Sequence, residues 1–257
     1  RPILLVTYNE IQAKKILENL QTFDKEKVIY FPKKDIVTYD YVAESKDLPY
    51  SRIEALNKIN SKRNYILVTT IEAAMQKLPA KQLLYKNTLK FKVGEIHSLD
   101  KIKQNLVNLG YTRCDLIEGR GQFSLRGGIL DISINDAIGV RVEFWGDEID
   151  SIRNFNIISQ RSINTLEKVE IEPAHEYIIE QDIEQIKAGN YISKIDKYFD
   201  CFYDKQETII DYLNTNSIIT FDEIRKIEQR AQNIIKDNEQ LIKNLIEKGK
   251  VVPQAIS

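Results

Sequence analysis

The chain has 257 residues, 42% hydrophobic and 29% charged, a globular composition and not a disordered or fibrous one. Its 37 lysines and arginines against 38 acids leave a net charge of -1, which excludes a generic nucleic-acid coat and confines any such contact to a local patch. The length suits two domains or one large one. No apolar run reaches the length of a membrane span, so no membrane partner is expected. Cys114 and Cys201 stand far apart and in no metal-ligand spacing, as in a reduced, cytoplasmic protein. No signal peptide is expected, and the start at Arg1, directly before an apolar strand, reads as a piece of something longer.

In chain order, "RPILLVT" is a short continuous apolar run, the pattern of a strand buried on both faces. Ala13, Ile16, Leu17, Leu20 and Phe23 then recur at helical spacing. "VIYF" predicts a second strand over 28–31, and Ile53, Leu56 and Ile59 mark a second helix. "YILVTT" predicts a third buried strand, with Thr70 capping the helix after it and Pro79 near that helix's end. Strands alternating with helices imply an open parallel sheet.

The texture then changes. "LKFKV" alternates, and Ser98 is placed to cap a helix through Leu99, Ile102, Leu106 and Leu109, with Gly110 ending it. "TRCDLI", "GQFSLRG", "GILDISI", "VRVEFW" and "IDSIRNF" read as consecutive short strands, hence an antiparallel sheet with a helix on one face. Residues 182 to 214 read as mixed helix, and "SIITF" as an apolar strand. A long helix follows from Asp222 towards Lys248, with Ile224, Ile227, Ala231, Ile234, Leu241 and Leu245 on one stripe and Gly249 as terminator. The expected fold class is α/β: a parallel-sheet domain in two sequence segments, 1–92 and 164–257, interrupted by an α+β domain over 93–163. The two flanks are expected to share one sheet with "SIITF" as a member.

Little in the chain looks like chemistry. "SIITFDE" ends an apolar strand in Asp222 and Glu223, as a nucleotide-hydrolysing P-loop protein presents its magnesium-binding and catalytic acids. The phosphate cradle such a site needs, G-x-x-x-x-G-K-[ST], is absent from the chain. The blander reading, that Asp222 caps the helix and Glu223 favours its positive end, is preferred. The glycines of "GRGQFSLRGG" lie between strands, so they serve turns and close approach and not a dinucleotide. His97 and His175 lack partners at metal-ligand spacing, no nucleophile signature occurs, and Asp147-Glu148 is an ordinary turn pair. No catalytic residue and no metal ligand is expected.

The informative feature is an exposed strand face. In "VRVEFW", Val140, Val142 and Phe144 form the apolar set, leaving Arg141, Glu143 and Trp145 opposite. Arg126 lies on the polar side of its own strand, between Leu125 and a glycine pair. If these strands are neighbours, Arg126, Arg141 and Trp145 make one exposed patch of the residue types enriched at binding hot spots. The pattern alone leaves open a solvated strand face with Trp145 half covered by a loop.

"GYTRCDLIEGRGQFSLRGGILDIS" and "VRVEFWGDEIDSIRNFNIISQRS" resemble the module shared by bacterial UvrB and the transcription-repair coupling factors (Mfd). "RPILLVT", "FPKKDIVTYDYVAESKDLPYSRIEALNKI", "ILVTTIEAAMQKLP" and "EKVEIEPAHEY" follow the same family order, and the coupling-factor version is the nearer. The resemblance implies a degenerate P-loop, helicase-like α/β domain (1A over 1–92, 1B over 164–257) with an inserted UvrA-docking domain 2 over 93–163. It implies that Arg126, Arg141 and Trp145 sit at UvrA-contact positions, with Trp145 where relatives commonly have Phe. "DISIND" lacks their usual Phe-Pro after "DI". Asp222 and Glu223 become vestigial, and the segment from Phe31 to Ser51 is too short for UvrB's DNA-clamping hairpin. The implied function is a non-catalytic module recruiting UvrA to stalled RNA polymerase. No cofactor is expected in this stretch. ATP and magnesium belong to motor domains expected beyond Ser257, where the contacts to RNA polymerase and double-stranded DNA are also expected. Two alternatives are a UvrB-like ATP-dependent DNA-damage-binding helicase module and a nucleic-acid platform built on the lysines near 86 to 103. Weak DNA binding at most is expected.

Overall fold

The computed structural model describes residues 1–34, 47–176 and 206–247. The chain divides into two compact units: Arg1–Lys81 with Asp182–Ser257, and Gln82–Gln181. The helical reading of 182–214 lies mostly outside the described residues, as does the terminator Gly249.

The first unit holds a parallel sheet of β1 (Ile3–Thr7), β2 (Val28–Phe31), β3 (Ile66–Thr70) and β14 (Ile218–Phe221). The strand order is β14-β1-β3-β2, all parallel, so "SIITF" joins the same sheet as "ILLVT", as the apolar pattern anticipates. Leu4, Phe31, Leu67 and Val68 are fully buried in these strands, and the parallel connections run through helices. α1 (Glu10–Asp24) packs Ile16, Leu17 and Leu20 around the buried Ala13, Val28 and Val68. Asn9 starts α1, its Oδ1 accepting the Gln12 N–H at 2.9 Å. Phe23, expected on that packed side, is instead exposed, one residue before the helix ends at Asp24.

α2 (Asp47–Ser61) buries Ile53, Leu56 and Ile59. It also buries Arg52, whose guanidinium donates to Pro32 O (2.6 Å) and Gln76 Oε1 (2.9 Å) and lies 4.2 Å from the Phe31 ring centroid. Thr70 caps α3 (Ile71–Ala74), accepting from Ala73 N. A short ribbon pairs β4 (Leu78–Pro79) with β13 (Gln206–Glu207), and α4 covers Lys81–Lys86. After β14 the long helix α6 spans Ile224–Glu247. It starts two residues later than expected, because Glu223 adopts φ 59. Among the described residues no helix is long and apolar enough to cross a membrane.

The second unit pairs β5 (Leu89–Lys92) with β12 (Lys168–Ile171), and its principal sheet has six strands. These are β6 (Thr112–Arg113), β7 (Gln122–Arg126), β8 (Ile129–Ser133), β9 (Ile138–Trp145), β10 (Glu148–Asn156) and β11 (Ser162–Leu166). They lie in chain order and are antiparallel, except that the two-residue β6 runs parallel to β7. "TRCDLI" is thus mostly not strand: Ile117 leaves the sheet to pack with Phe155 and Ile157. α5 (Leu99–Asn108) buries Ile102 and Leu106, and ends in a left-handed Gly110 (φ 86). There Gly110 N donates to Val107 O and Tyr111 N to Leu106 O, both at 2.9 Å, the paired closure that satisfies the last carbonyls. Ser98 occupies the cap position without a side-chain cap bond.

Candidate partner-docking site

Strand alternation gives the six-stranded sheet one apolar face and one mixed face. Phe123, Leu130, Ile132, Val140, Val142, Phe144 and Ile152 are buried on the first. Register builds the second in rows. Ser124, Asp131, Arg141 and Arg153 lie side by side across β7 to β10, and Arg126, Ile129, Glu143 and Ser151 form the next row. A bulge between Ile149 and Ser151 shifts the phase of β10, which sends Phe155 to the mixed face with Arg141.

Two short hairpin turns close the sheet at one end. Arg126 pairs with Ile129 around Gly127-Gly128, and Trp145 with Glu148 around Gly146-Asp147. Gly127 takes φ +58, the left-handed first position of a two-residue hairpin. Gly128 has a different reason to be glycine: an added Cβ would stand 2.6 Å from Phe144 O, and Phe144 N donates to Gly128 O at 2.7 Å. The glycine pair therefore lets the turn lie directly against β9, the strand that carries Trp145.

The structure separates the three expected contact residues. Trp145 is 83% exposed, and the Arg126 side chain is 53% exposed. Arg141 departs from the expected exposure, its side chain being only 18% accessible. Its Nε and Nη2 donate to the two oxygens of Asp131 at 2.6 and 2.9 Å, Nη2 also donates to Gln160 Oε1, and the guanidinium lies 4.6 Å from the Phe155 centroid. Asp131 is 1% exposed, so this is a forked, charge-assisted pair in a dry setting, and its hydrogen bond holds Arg141 still more firmly protonated. Arg126 reaches the same carboxylate only at 3.4 Å. One strand over, Glu143 accepts from Arg153 Nη2 and from Ser151 Oγ. Sequence reasoning missed Asp131 and the exposed Ile129, although alternation puts both on the face of Arg126 and Arg141.

Asp222 and Glu223 follow β14 as expected, but their carboxylates are engaged locally. Asp222 Oδ2 accepts from Gln12 Nε2 at 2.9 Å, so it ties α1 to the strand end and does not cap α6. Glu223, just before α6, pairs with Lys226 in its first turn at 2.5 Å. At the carboxyl ends of the parallel strands, Tyr8, Asn9, Glu10, Lys33, Thr70, Glu72 and Arg230 line a cavity of about 390 Å³. Glu72 bridges Arg230 (2.9 Å) and Lys33 (3.4 Å) there. Burial raises its pKa, yet the two cations outweigh that and leave it lowered.

The lysines near 86 to 103 are interleaved with acids: Lys90 faces Glu170 and Lys103 pairs with Asp100. Burial and nearby acids push the Cys114 thiol up, which does not activate it as a nucleophile. Among the described residues no cluster of three potential metal ligands occurs.

Residues 89–177 match the family described as the UvrB interaction domain. Over 98% of its length the chain is 28% identical to a transcription-repair-coupling factor of Bacillus subtilis. It is 30% identical over 96% of its length to the factor of the same name from Staphylococcus aureus. The chain spans about a quarter of the length of these curated relatives (25% and 24%). Residues 89–177 therefore belong to the UvrB interaction domain family, within a chain that is similar along nearly all of its length to transcription-repair-coupling factors.

Proposed function

We propose that this chain is a non-catalytic module of a cytoplasmic transcription-repair coupling factor, recruiting UvrA to stalled RNA polymerase through the inserted domain expected over 93–163. One observation carries the reading. In a segment of the UvrB interaction family, a tryptophan stands almost wholly in solvent at the hairpin end of a sheet face that also presents Arg126. An exposed indole on a sheet face that also presents an arginine is costly to leave uncovered and characteristic of an interface. Arg126, Arg141 and Trp145 are the docking set in this reading. Titrating purified UvrA against the chain tests it: saturable binding is expected, and its absence overturns the assignment.

The parallel-sheet unit is, on this reading, a degenerate helicase-like domain that takes part in no hydrolysis. Its residues do not fit a magnesium nucleotide: no phosphate cradle occurs, and the acids that would hold the metal are engaged by Gln12 and Lys226. ATP, magnesium, RNA polymerase and double-stranded DNA belong to the rest of the longer protein. Phosphate release by this stretch in the presence of DNA is expected at background, and turnover abolished by Glu223→Gln contradicts it. DNA binding by this stretch is expected to be no tighter than about 10⁻⁴–10⁻⁶ M at physiological salt.

A further inference from the structure

Two cavities lie at opposite ends of the parallel strands, and they differ in charge. At the carboxyl ends, in the cavity of about 390 Å³, Lys33 and Arg230 share the carboxylate of Glu72, and Glu10 adds a second acid. The other cavity, of about 720 Å³, is built from the turns that precede β3 and β14 and from the start of α4. Its lining holds two cations, Arg63 and Lys81, with four neutral polar side chains, one leucine and no acid. Arg63 is exposed and makes no hydrogen bond or ion pair among the described residues. The Lys81 ammonium donates to Tyr212 O at 2.7 Å, a neutral acceptor that leaves its charge uncompensated. Glu207 accepts from the Lys81 main-chain N–H at 2.7 Å but does not line the cavity. Asn214, Thr215 and Asn216 bring two amides and a hydroxyl, and these side chains make no hydrogen bond among the described residues.

We propose that this amino-end cavity binds a phosphate monoester, with Arg63 as its principal cation and Lys81, Asn214, Thr215 and Asn216 as further donors. Charge decides the class of ligand. A phosphate monoester carries about -1.5 to -2 charges at pH 7 and three acceptor oxygens, which match two cations set among neutral donors. A carboxylate or a phosphodiester carries one charge and leaves one of the cations unmatched. The carboxyl-end cavity is no competitor, because its cations already face acids of their own. Nor is this the vestigial nucleotide position, since Asp222 and Glu223 stand at the other end of β14. The proposal is independent of UvrA docking, as no lining residue falls within residues 89–177.

The probes are methyl phosphate, a monoester, and dimethyl phosphate, the matching diester. Each is titrated into the chain at low ionic strength, with the asparagine side-chain amide resonances as readout. Asn214 and Asn216 are expected to shift and to saturate below about 10 mM methyl phosphate, while Asn9, in the carboxyl-end cavity, stays in place. Dimethyl phosphate is expected to bind at least about tenfold more weakly. Binding of methyl phosphate is expected to strengthen as pH rises through about 6, where the ester gains its second charge.

Arg63→Ala is expected to lower affinity about tenfold with melting unchanged, since Arg63 holds no other side chain in the fold. Lys81→Met is expected to do the same, but its bond to Tyr212 O makes Arg63 the deciding variant. A 5′-phosphorylated oligothymidylate, run beside its unphosphorylated form, separates two sources of the ester. Phosphate-dependent binding tighter than that of methyl phosphate assigns the site to a strand end, and equal or weaker binding assigns it to a small molecule. Shifts centred on Asn9, equal binding of the two methyl esters or a failure to saturate overturns the proposal. An Arg63→Ala variant that melts normally and binds within about twofold of wild type overturns it as well.

Discussion

The two sheets dispose of their charges in opposite ways. In the parallel sheet, the acids at the strand ends are engaged by side chains of their own unit: Asp222 by Gln12, Glu223 by Lys226, Glu72 by Arg230 and Lys33. The carboxyl ends of such strands are where open α/β proteins hold their ligands, and here Glu72, Lys33 and Arg230 are paired with one another. In the six-stranded sheet the internal ladder of Arg141, Asp131, Glu143 and Arg153 is also paired, although the buried Nε of Arg153 has no partner among the described residues, and it stops short of the hairpin end. Arg126, Ile129 and Trp145 are left looking outwards. At these ends two sheets of one chain thus differ less in how much charge they carry than in whether any is left for a partner.

The sharpest way to break this comparison is Arg141→Ala. It strands the Asp131 carboxylate, 1% exposed, without its forked partner. The expected loss is about 3–5 kcal/mol of stability, read from the urea transition of the residue 82–181 unit. A loss below about 1 kcal/mol would mean that the ladder does not anchor the sheet. Next in size is Gly128→Ala, whose new methyl meets Phe144 O at 2.6 Å. Backbone has to shift, at about 1–3 kcal/mol, and hydrogen exchange at the Phe144 amide is expected to quicken. An unchanged melting temperature would show that the two turns are not coupled.

In the parallel sheet the expected effects are smaller. Asn9→Ala removes the α1 cap and is expected to cost about 1 kcal/mol, measured by thermal melting. Glu72 gives the smallest effect and a sign. Its pKa is lowered in the fold, so the stability it contributes is present above the ordinary glutamate value of 4.5 and is lost as pH falls through the depressed one. Glu72→Gln is expected to differ from wild type by under about 1 kcal/mol at pH 7, and to flatten the acid limb of a stability-versus-pH curve. An acid limb unchanged by the substitution would remove Glu72 from that account.

Periodicity made much of this legible. The buried strands, the α5 stripe, the Gly110 stop and the placing of Arg126, Arg141 and Trp145 opposite the apolar set all follow from spacings of two and of three to four. Three things did not. The bulge after Ile149 inserts one residue and flips Phe155 to the far face, which no period shows in advance. Asp131 reads as a wet acid in "ILDIS", and its burial comes from Arg141, a neighbour on another strand. Arg52 sits beside an apolar helical stripe in "SRIEAL", and only the approach of Pro32, Phe31 and Gln76 makes it a core residue. In each case the deciding contact is distant in sequence, and local pattern carries no term for it.

The pairing of β1 with β14 also sets an order of events during synthesis. Residues 82–181 are contiguous, and every strand of the six-stranded sheet is made before β14. β1 has to wait for a strand whose residues lie some two hundred positions later; the Gln12–Asp222 bond beside it joins residues 210 apart. At about 5–20 residues per second on the ribosome, that delay is on the order of 10 to 40 seconds. Throughout it one edge of β1 stands without its neighbour, the kind of open strand edge that pairs with other chains. A nascent chain of this design is most exposed to misassembly in its first-made strand, and a chaperone that shields it would be most useful before Ile218 appears.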